Sequence, residues 1–180
     1  MDEKQKKIIS KFLSLILRHR PETIGLKLDN NGWADIEELL SKSEKNNRLF
    51  SKEDLEEVVT TNDKQRFIFN ESKTKVRANQ GHSIEVELDL QSQVPPELLY
   101  HGTVEKFVTS IRTEGLQKMS RQHVHLSKDI ETAEKVGSRR GEAIILCVSS
   151  GVMYKDGYIF YLSENGVWLT DNVPSVYVNF

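Results

Sequence analysis

The feature that most constrains the fold is a change in hydrophobic periodicity near the middle of the chain. Before it, apolar residues recur at helical spacing, as in residues 4–19. After it, short runs rich in β-branched and aromatic residues alternate with turn residues. The polar stretch Gln91–Pro96, which ends in two prolines, separates the two patterns. The sequence therefore predicts an α+β protein with two lobes, residues 1–92 and residues 93–180.

The first lobe is predicted to contain three helices followed by a β-hairpin. Asp35 is suited to cap the second helix, and Ser51 with Asp54 forms a capping box at the start of the third. Strands are predicted at Arg66–Phe69 and Lys75–Ala78. This order of elements is typical of a winged-helix lobe, and a generic small α+β unit is the alternative.

The second lobe is predicted to be rich in strands. The segment Ile84–Leu90, which leads into it, alternates apolar and acidic residues and predicts a half-exposed strand. Helices are predicted near Glu105–Thr113 and Ile130–Val136. Six further strands are predicted: Leu98–His101, His123–Leu126, Ala143–Val148, Tyr158–Leu162, Gly166–Leu169 and Ser175–Val178.

Charge limits how the chain can hold nucleic acid. The net charge is −2, and neither lobe has a basic excess: Lys and Arg number 16 against 17 acids in residues 1–92, and 9 against 10 in residues 93–180. Proteins that hold long duplexes usually carry a basic domain. Any nucleic-acid contact is therefore expected to use a few well-placed arginines on a small feature.

Several features predict a cytoplasmic protein. No apolar run approaches the roughly 20 residues that span a bilayer. The first ten residues lack the apolar core of a secretion signal. The single cysteine, Cys147, cannot form an internal disulfide and is expected to pack in the core.

The histidines are the candidate functional residues that stand out. Each has a Gly, Ser, Thr or Arg close by and lies at the edge of a predicted element, where ligands commonly bind. His123 and His125 would share one face of a strand, but no third or fourth ligand for zinc stands at matching spacing. The sequence contains no Walker loop, dinucleotide-binding glycine motif or serine-nucleophile elbow. These five histidines are His19, His82, His101, His123 and His125.

Five motifs in order resemble the RNA 2′-phosphotransferase family (KptA, tRNA 2′-phosphotransferase). They are Leu17–His19, Lys64–Phe67, Ala78–Ser83, His101–Thr103 and Met119–Ser127. The resemblance covers the chain from about residue 8 to its end. It implies an N-terminal winged-helix lobe that binds RNA and a C-terminal lobe of the ADP-ribosyltransferase fold that binds NAD⁺.

The resemblance also implies roles for individual residues. The implied catalytic set is Arg18, His19, Arg66 and Arg121. The implied NAD⁺ contacts are His101, Gly102, Thr103, His125, Leu126 and Ser127. Residues Gln80, Gly81, His82 and Ser83 are expected to hold the RNA phosphate or to form a hinge. The remaining residues weighed for a role are assigned to surface ion pairs (Arg20, Arg139 and Arg140) or to core packing (Tyr100 and Trp168).

The implied reaction removes an internal 2′-phosphate from an RNA such as tRNA. NAD⁺ is consumed as a co-substrate, RNA carrying ADP-ribose on its 2′-phosphate is the intermediate, and nicotinamide and ADP-ribose 1″,2″-cyclic phosphate are released. No metal, membrane or obligate protein partner is implied. His19 is expected either to act as a general acid or to bind the phosphate, and the sequence does not separate the two.

One departure from the wider ADP-ribosyltransferase pattern agrees with this reaction. Many such enzymes use a glutamate on a late strand, but Gly166–Leu169 contains no acid, and Glu164 before it is interpreted as turn surface. A phosphate dianion is already ionised and needs no base.

Two alternatives share parts of this interpretation. An ADP-ribosyltransferase that modifies a terminal phosphate of nucleic acid would use the same NAD⁺ lobe. A winged-helix protein without enzymatic activity would need a basic recognition helix, whereas residues 52–62 contain four acids and one lysine.

Overall fold

The computed structural model describes residues 1–180, which form two compact units, Met1–Asp89 and Leu90–Phe180. The protein is a mixed α+β structure with six helices and several small antiparallel sheets. None of its helices is both long and apolar enough to cross a membrane.

Unit 1 begins with three helices and ends in a small sheet. Its elements are α1 (Glu3–Arg18), β1 (Ala34–Asp35), α2 (Ile36–Lys45), α3 (Lys52–Thr60), β2 (Phe67–Phe69) and β3 (Lys75–Ala78), with a 3-10 turn at Pro21–Ile24. The strand order is β1-β3-β2. The predicted caps are confirmed, since Asp35 accepts the Glu38 N–H and Ser51 forms a capping box with Asp54. One apolar core joins the three helices to β2 and β3.

Unit 2 consists of short strands and three helices. Its elements are β4 (Leu99–Thr103), α4 (Glu105–Glu114), β5 (Leu116–Gln117), β6 (Val124–Leu126), α5 (Ile130–Gly137), β7 (Ile144–Val148), α6 (Ser150–Lys155), β8 (Tyr161–Leu162), β9 (Trp168–Thr170), β10 (Asn172–Val173) and β11 (Val178–Asn179). Two three-stranded sheets, β11-β7-β4 and β6-β9-β8, and the pair β10-β5 enclose a second core.

The predicted strand at Ile84–Leu90 is wrong. Val86 and Leu88 are buried, as the alternation requires, but no neighbouring strand pairs with this segment. It is held by isolated hydrogen bonds, such as the Glu87 N–H to the Asn30 carbonyl at 2.7 Å, and Asp89 has a positive φ of 52°. Alternating burial requires only an extended chain, whereas a strand also requires a partner with an open edge.

Smaller differences concern the end of unit 2. Residues Ser175–Tyr177 form a 3-10 turn rather than a strand, and α6 was not predicted. Cys147 is only partly buried, because its position on β7 faces away from the core that Leu146 and Val148 enter. Trp168 lies in the core as predicted, while Tyr100 is half-buried.

Candidate functional site

Residues of unit 1 implied by the resemblance gather around the end of α1; together, Arg18, His19, Arg66 and the loop Asn79–Ser83 are called the N-terminal cluster. Arg18 is the last residue of α1 and His19 caps it. The Arg18 guanidinium lies over the Phe67 ring at 5.8 Å, and its Nη2 is 3.4 Å from the Arg66 carbonyl oxygen. Stacking and hydrogen bonding hold this side chain against the sheet.

The loop Asn79–Ser83 fastens both arginines through the main chain. The Ser83 N–H donates to the Arg18 carbonyl at 2.8 Å, and the Asn79 N–H donates to the Arg66 carbonyl at 2.9 Å. The Ser83 Oγ is also 2.9 Å from the His19 Nδ1. These bonds connect segments far apart in the sequence, so the loop sets the positions of all three implied catalytic residues of the cluster.

Backbone strain precedes Arg66. Gln65 has φ of 40°, a left-handed conformation that non-glycine residues seldom adopt. Its N–H bonds to the Asn62 carbonyl at 2.8 Å, and the Asn62 Oδ1 accepts from the Arg66 Nη1 at 3.4 Å. Asn62 therefore closes the turn and also orients the Arg66 side chain. Strained backbone that the surroundings enforce is common at functional sites.

Within the cluster, the side chain of His82 is buried rather than exposed at the surface. Its side chain is 1% exposed, and neither ring nitrogen has a hydrogen-bond partner. Its pKa is lowered to about 4, first by burial and then by the nearby charges of Arg18, His19 and Arg77. Contact between His82 and an RNA phosphate does not fit this placement, because the imidazole is neutral and enclosed. Gln80 and Gly81 are half-buried and Ser83 is exposed.

Unit 2 contains a pocket of about 710 Å³, called here the C-terminal pocket, with His101, Gly102, Thr103, Arg121 and His125 in its lining. Its size is typical of small-molecule sites. Four basic residues and one acid line it: Lys118, Arg121, Arg139, Arg140 and Glu114. The pocket is therefore suited to a ligand with negative charge.

Two hydrogen bonds define the protonation of His101 and His125. The His125 carbonyl can only accept, so the His101 Nδ1, 3.0 Å away, carries a proton. A guanidinium can only donate, so the His125 Nδ1, 3.0 Å from the Arg121 Nη1, is unprotonated. Burial lowers the pKa of His101, with further lowering from Arg121 and Arg140, and it is neutral at neutral pH.

Arg139 and Arg140 are functional candidates that the sequence reasoning missed. They were assigned to surface ion pairs, but the 3-10 turn Ser138–Arg140 after α5 places them in the pocket lining. Loss of hydration lowers the pKa of Arg121 most, and the charges of Arg140 and Arg139 lower it further. The signal in the sequence was two adjacent arginines between Gly137 and Gly141.

Three of the residues that the resemblance assigns to NAD⁺ binding have structural roles. Leu126 is 1% exposed in the core, and Ser127 exchanges two main-chain hydrogen bonds with Tyr100; neither lines the pocket. Gly102 lines the pocket, but a Cβ there would lie 1.9 Å from the Ala133 carbonyl oxygen of α5. Glycine is thus required for α5 to pack against β4.

The loop before β6 adds one exposed apolar residue to the pocket. Met119 is 85% exposed and has φ of 54°. The Arg121 N–H closes this loop on the Lys118 carbonyl at 3.0 Å.

No group of three or more His, Cys, Asp or Glu side chains is arranged to hold a metal ion.

The sequence of this chain is similar to those of one known protein family. The family model described as RNA 2′-phosphotransferase, Tpt1 / KptA family, matches residues 4–172. A probable RNA 2′-phosphotransferase of Flavobacterium johnsoniae is 64% identical over 180 residues, covering 100% of this chain and 99% of its own. One from Fusobacterium nucleatum is 58% identical over 96% of this chain and 97% of its own. A third, from Trichormus variabilis, is 55% identical over 99% of this chain and 98% of its own.

Proposed function

This chain belongs to the RNA 2′-phosphotransferase (Tpt1 / KptA) family, and we propose that it removes a 2′-phosphate from RNA by transferring it to NAD⁺. The observation that carries this proposal is the C-terminal pocket, where Arg121 is held on a neutral His125 among further basic residues. Such a pocket favours a dianionic nucleophile and a pyrophosphate over neutral ligands.

The residues of the C-terminal pocket fit NAD⁺. Its basic lining complements a pyrophosphate, and Arg139 and Arg140 are the residues we assign to it. His101 presents an unprotonated Nε2, able to accept from a ribose hydroxyl. NAD⁺ supplies an electrophilic ribose carbon, C1″, and nicotinamide as its leaving group.

The first step forms a bond between RNA and this ribose. An oxygen of the RNA 2′-phosphate attacks C1″, the bond from C1″ to nicotinamide breaks, and nicotinamide leaves neutral with the bonding electrons. The protein's task here is alignment, because the nucleophile is already ionised. We assign Arg121 to this alignment.

The second step releases the RNA. The ribose O2″ attacks phosphorus, the bond from phosphorus to the RNA 2′-oxygen breaks, and the proton of O2″ is matched by one gained by the RNA 2′-oxygen. Charge accumulates on the non-bridging oxygens, which guanidinium groups stabilise. We assign Arg18, Arg66 and Arg121 to this stabilisation. His19 either protonates the leaving oxygen or binds the phosphate, and its Nδ1 contact with Ser83 orients it for both roles.

We further propose that unit 1 is a winged-helix lobe that binds RNA and unit 2 an ADP-ribosyltransferase lobe that binds NAD⁺. Three helices before the hairpin β2–β3 support the first assignment. Short antiparallel strands around a basic pocket support the second.

The test is incubation of purified protein with NAD⁺ and an oligonucleotide that carries one internal 2′-phosphate. We expect loss of the phosphate, one nicotinamide per phosphate, and ADP-ribose 1″,2″-cyclic phosphate, with activity retained in EDTA because arginines neutralise the phosphate. RNA that keeps ADP-ribose as its final product would favour a nucleic-acid ADP-ribosyltransferase instead. Absence of any NAD⁺-dependent change in the RNA would contradict the proposal.

A further inference from the structure

The solvent-facing side of α1 carries a row of charged residues that are all positive. At 3.6 residues per turn, Lys4, Lys7, Lys11 and Arg18 fall within about 60° of arc. The three lysines, called here the lysine row, are exposed, and the buried residues of α1 lie on the opposite side.

The lysine row has no compensating acid. The one acid in α1, Glu3, forms an ion pair at 3.2 Å with Lys6, which lies off the row. The other helices of unit 1 differ: Lys42 pairs with Glu38 on α2, and α3 has four acids against one lysine. Unit 1 as a whole therefore has no basic excess, but one face of α1 does.

The lysine row leads towards the N-terminal cluster. Lys4 is about 21 Å from Arg18 along the helix axis, at about 1.5 Å per residue. Arg18 and His19 end the helix. A nucleic-acid strand whose phosphate is held at Arg18 would thus have the lysine row alongside it.

We propose that the lysine row of α1 binds the phosphate backbone of the single-stranded RNA that flanks the 2′-phosphorylated nucleotide. The inference rests on the proposed function, in which Arg18 and His19 hold that phosphate. Flexible ammonium groups suit a backbone contact that carries no sequence information. The acidic α3, at the position of the usual recognition helix, would repel RNA.

An anionic membrane is a poorer match to this surface. Helices that lie in membrane interfaces insert a continuous apolar face. Leu13, Ile16 and Leu17 of α1 are fully buried in the core of unit 1, and the two exposed apolar side chains of the helix, Ile8 and Leu15, stand about two turns apart and form no continuous face.

Binding is tested with the triple variant K4Q/K7Q/K11Q and the matched control K27Q/K45Q/K52Q, which removes three exposed lysines elsewhere in unit 1. The probe is a labelled single-stranded RNA of about 12 nucleotides, followed by fluorescence anisotropy at several salt concentrations. We expect the affinity of the row variant to be roughly 10-fold lower than that of the wild type. The magnitude of the slope of log affinity against log salt should be smaller by about 2. The control variant should match the wild type.

Turnover separates this inference from the proposed function. The row variant should have a higher KM for a long 2′-phosphorylated RNA than the wild type. Its kcat and KM for a 2′-phosphorylated dinucleotide should equal those of the wild type. Equal losses in row and control variants, equal losses for long and short substrates, or unchanged RNA binding would overturn the inference. So would a loss of binding to phosphatidylserine vesicles without a loss of RNA binding. A wild type that binds RNA through the row but turns over no substrate would contradict only the proposed function.

Discussion

The two candidate clusters hold their arginines by different means. In the N-terminal cluster, the closest bonds run from the main-chain N–H groups of Ser83 and Asn79 to the carbonyls of Arg18 and Arg66, and the guanidinium contacts are longer, at 3.4 Å. In the C-terminal pocket, Arg121 is held through its side chain by His125, only four residues away. A main-chain bond survives most side-chain substitutions, whereas a side-chain bond is lost with its acceptor. The same residue type should therefore respond differently to mutation of its neighbours in the two places.

The histidines of the two clusters also differ in their surroundings. Two of the pocket histidines, His101 and His125, each have the Nδ1 hydrogen-bonded to a neighbour, which defines their tautomers. His82, in contrast, is buried within the N-terminal cluster with both nitrogens unpartnered. Hydrogen bonds thus orient His101 and His125 in the pocket, whereas burial holds His82.

The largest expected effect comes from removing one of the arginines assigned to the second step. Arg18→Ala or Arg66→Ala should slow release of RNA by about 10²–10³, the usual loss when a donor to a charged transition state is removed. Because charge on phosphorus-bound oxygens grows in the second step, RNA carrying ADP-ribose should accumulate as a slower band on a gel.

The control for this experiment is Arg112→Ala, an exposed arginine of α4 that stacks on Phe180. It should behave like the wild type. If the arginine variants consume substrate slowly but never accumulate the intermediate above the wild-type level, the assignment of these residues to the second step is wrong.

The side-chain contact of the pocket is tested at His125. His125→Ala leaves the Arg121 guanidinium without this acceptor and should lower kcat about 10-fold, within the range for hydrogen bonds to charged groups. His125→Asn offers Oδ1 as an acceptor and should recover part of the loss. Equal activities of the two variants would show that the acceptor does not matter.

Burial of His82 predicts acid sensitivity of unit 1. Its folded pKa of about 4 lies below the ordinary 6.5, so the unfolded chain takes up the proton more readily. Its stabilising contribution is complete above pH 6.5 and should fall by up to about 1.4 kcal/mol per pH unit between pH 6.5 and 4. Urea unfolding at several pH values measures this.

His82→Gln, which does not titrate, should flatten the stability profile over that range. The shift of the His82 ring protons in an NMR titration of the wild type provides a second measurement. A midpoint near 6.5 would contradict the buried, neutral placement.

The smallest effect is expected at Ser83. Ser83→Ala removes the hydroxyl that contacts the His19 Nδ1 but leaves the Ser83 N–H on the Arg18 carbonyl. A few-fold loss of kcat is expected, since one neutral hydrogen bond contributes about 0.5–1.5 kcal/mol, and Ser83→Thr should restore it. A loss as large as that of Arg18→Ala would mean that the hydroxyl, and not the main chain, positions the cluster.

The sequence alone predicted elements whose causes are local. Helix starts at Asp35 and Ser51 follow from capping, which involves residues only three apart. The lysine row also follows from helical periodicity, although the balanced charge of the lobe does not show it. Family motifs indicated the candidate residues without saying which of them reach a surface.

Only the tertiary structure decided features that depend on distant partners. Ile84–Leu90 has the alternation of a strand but finds no edge to pair with. Leu126 and His125 are adjacent, yet one enters the core and the other faces the pocket, because neighbouring strand residues point to opposite faces. Arg139 and Arg140 line the pocket from the 3-10 turn after α5, a helix that Gly102 allows to approach β4 closely. Such placements arise from packing between segments, which periodicity and short motifs do not encode.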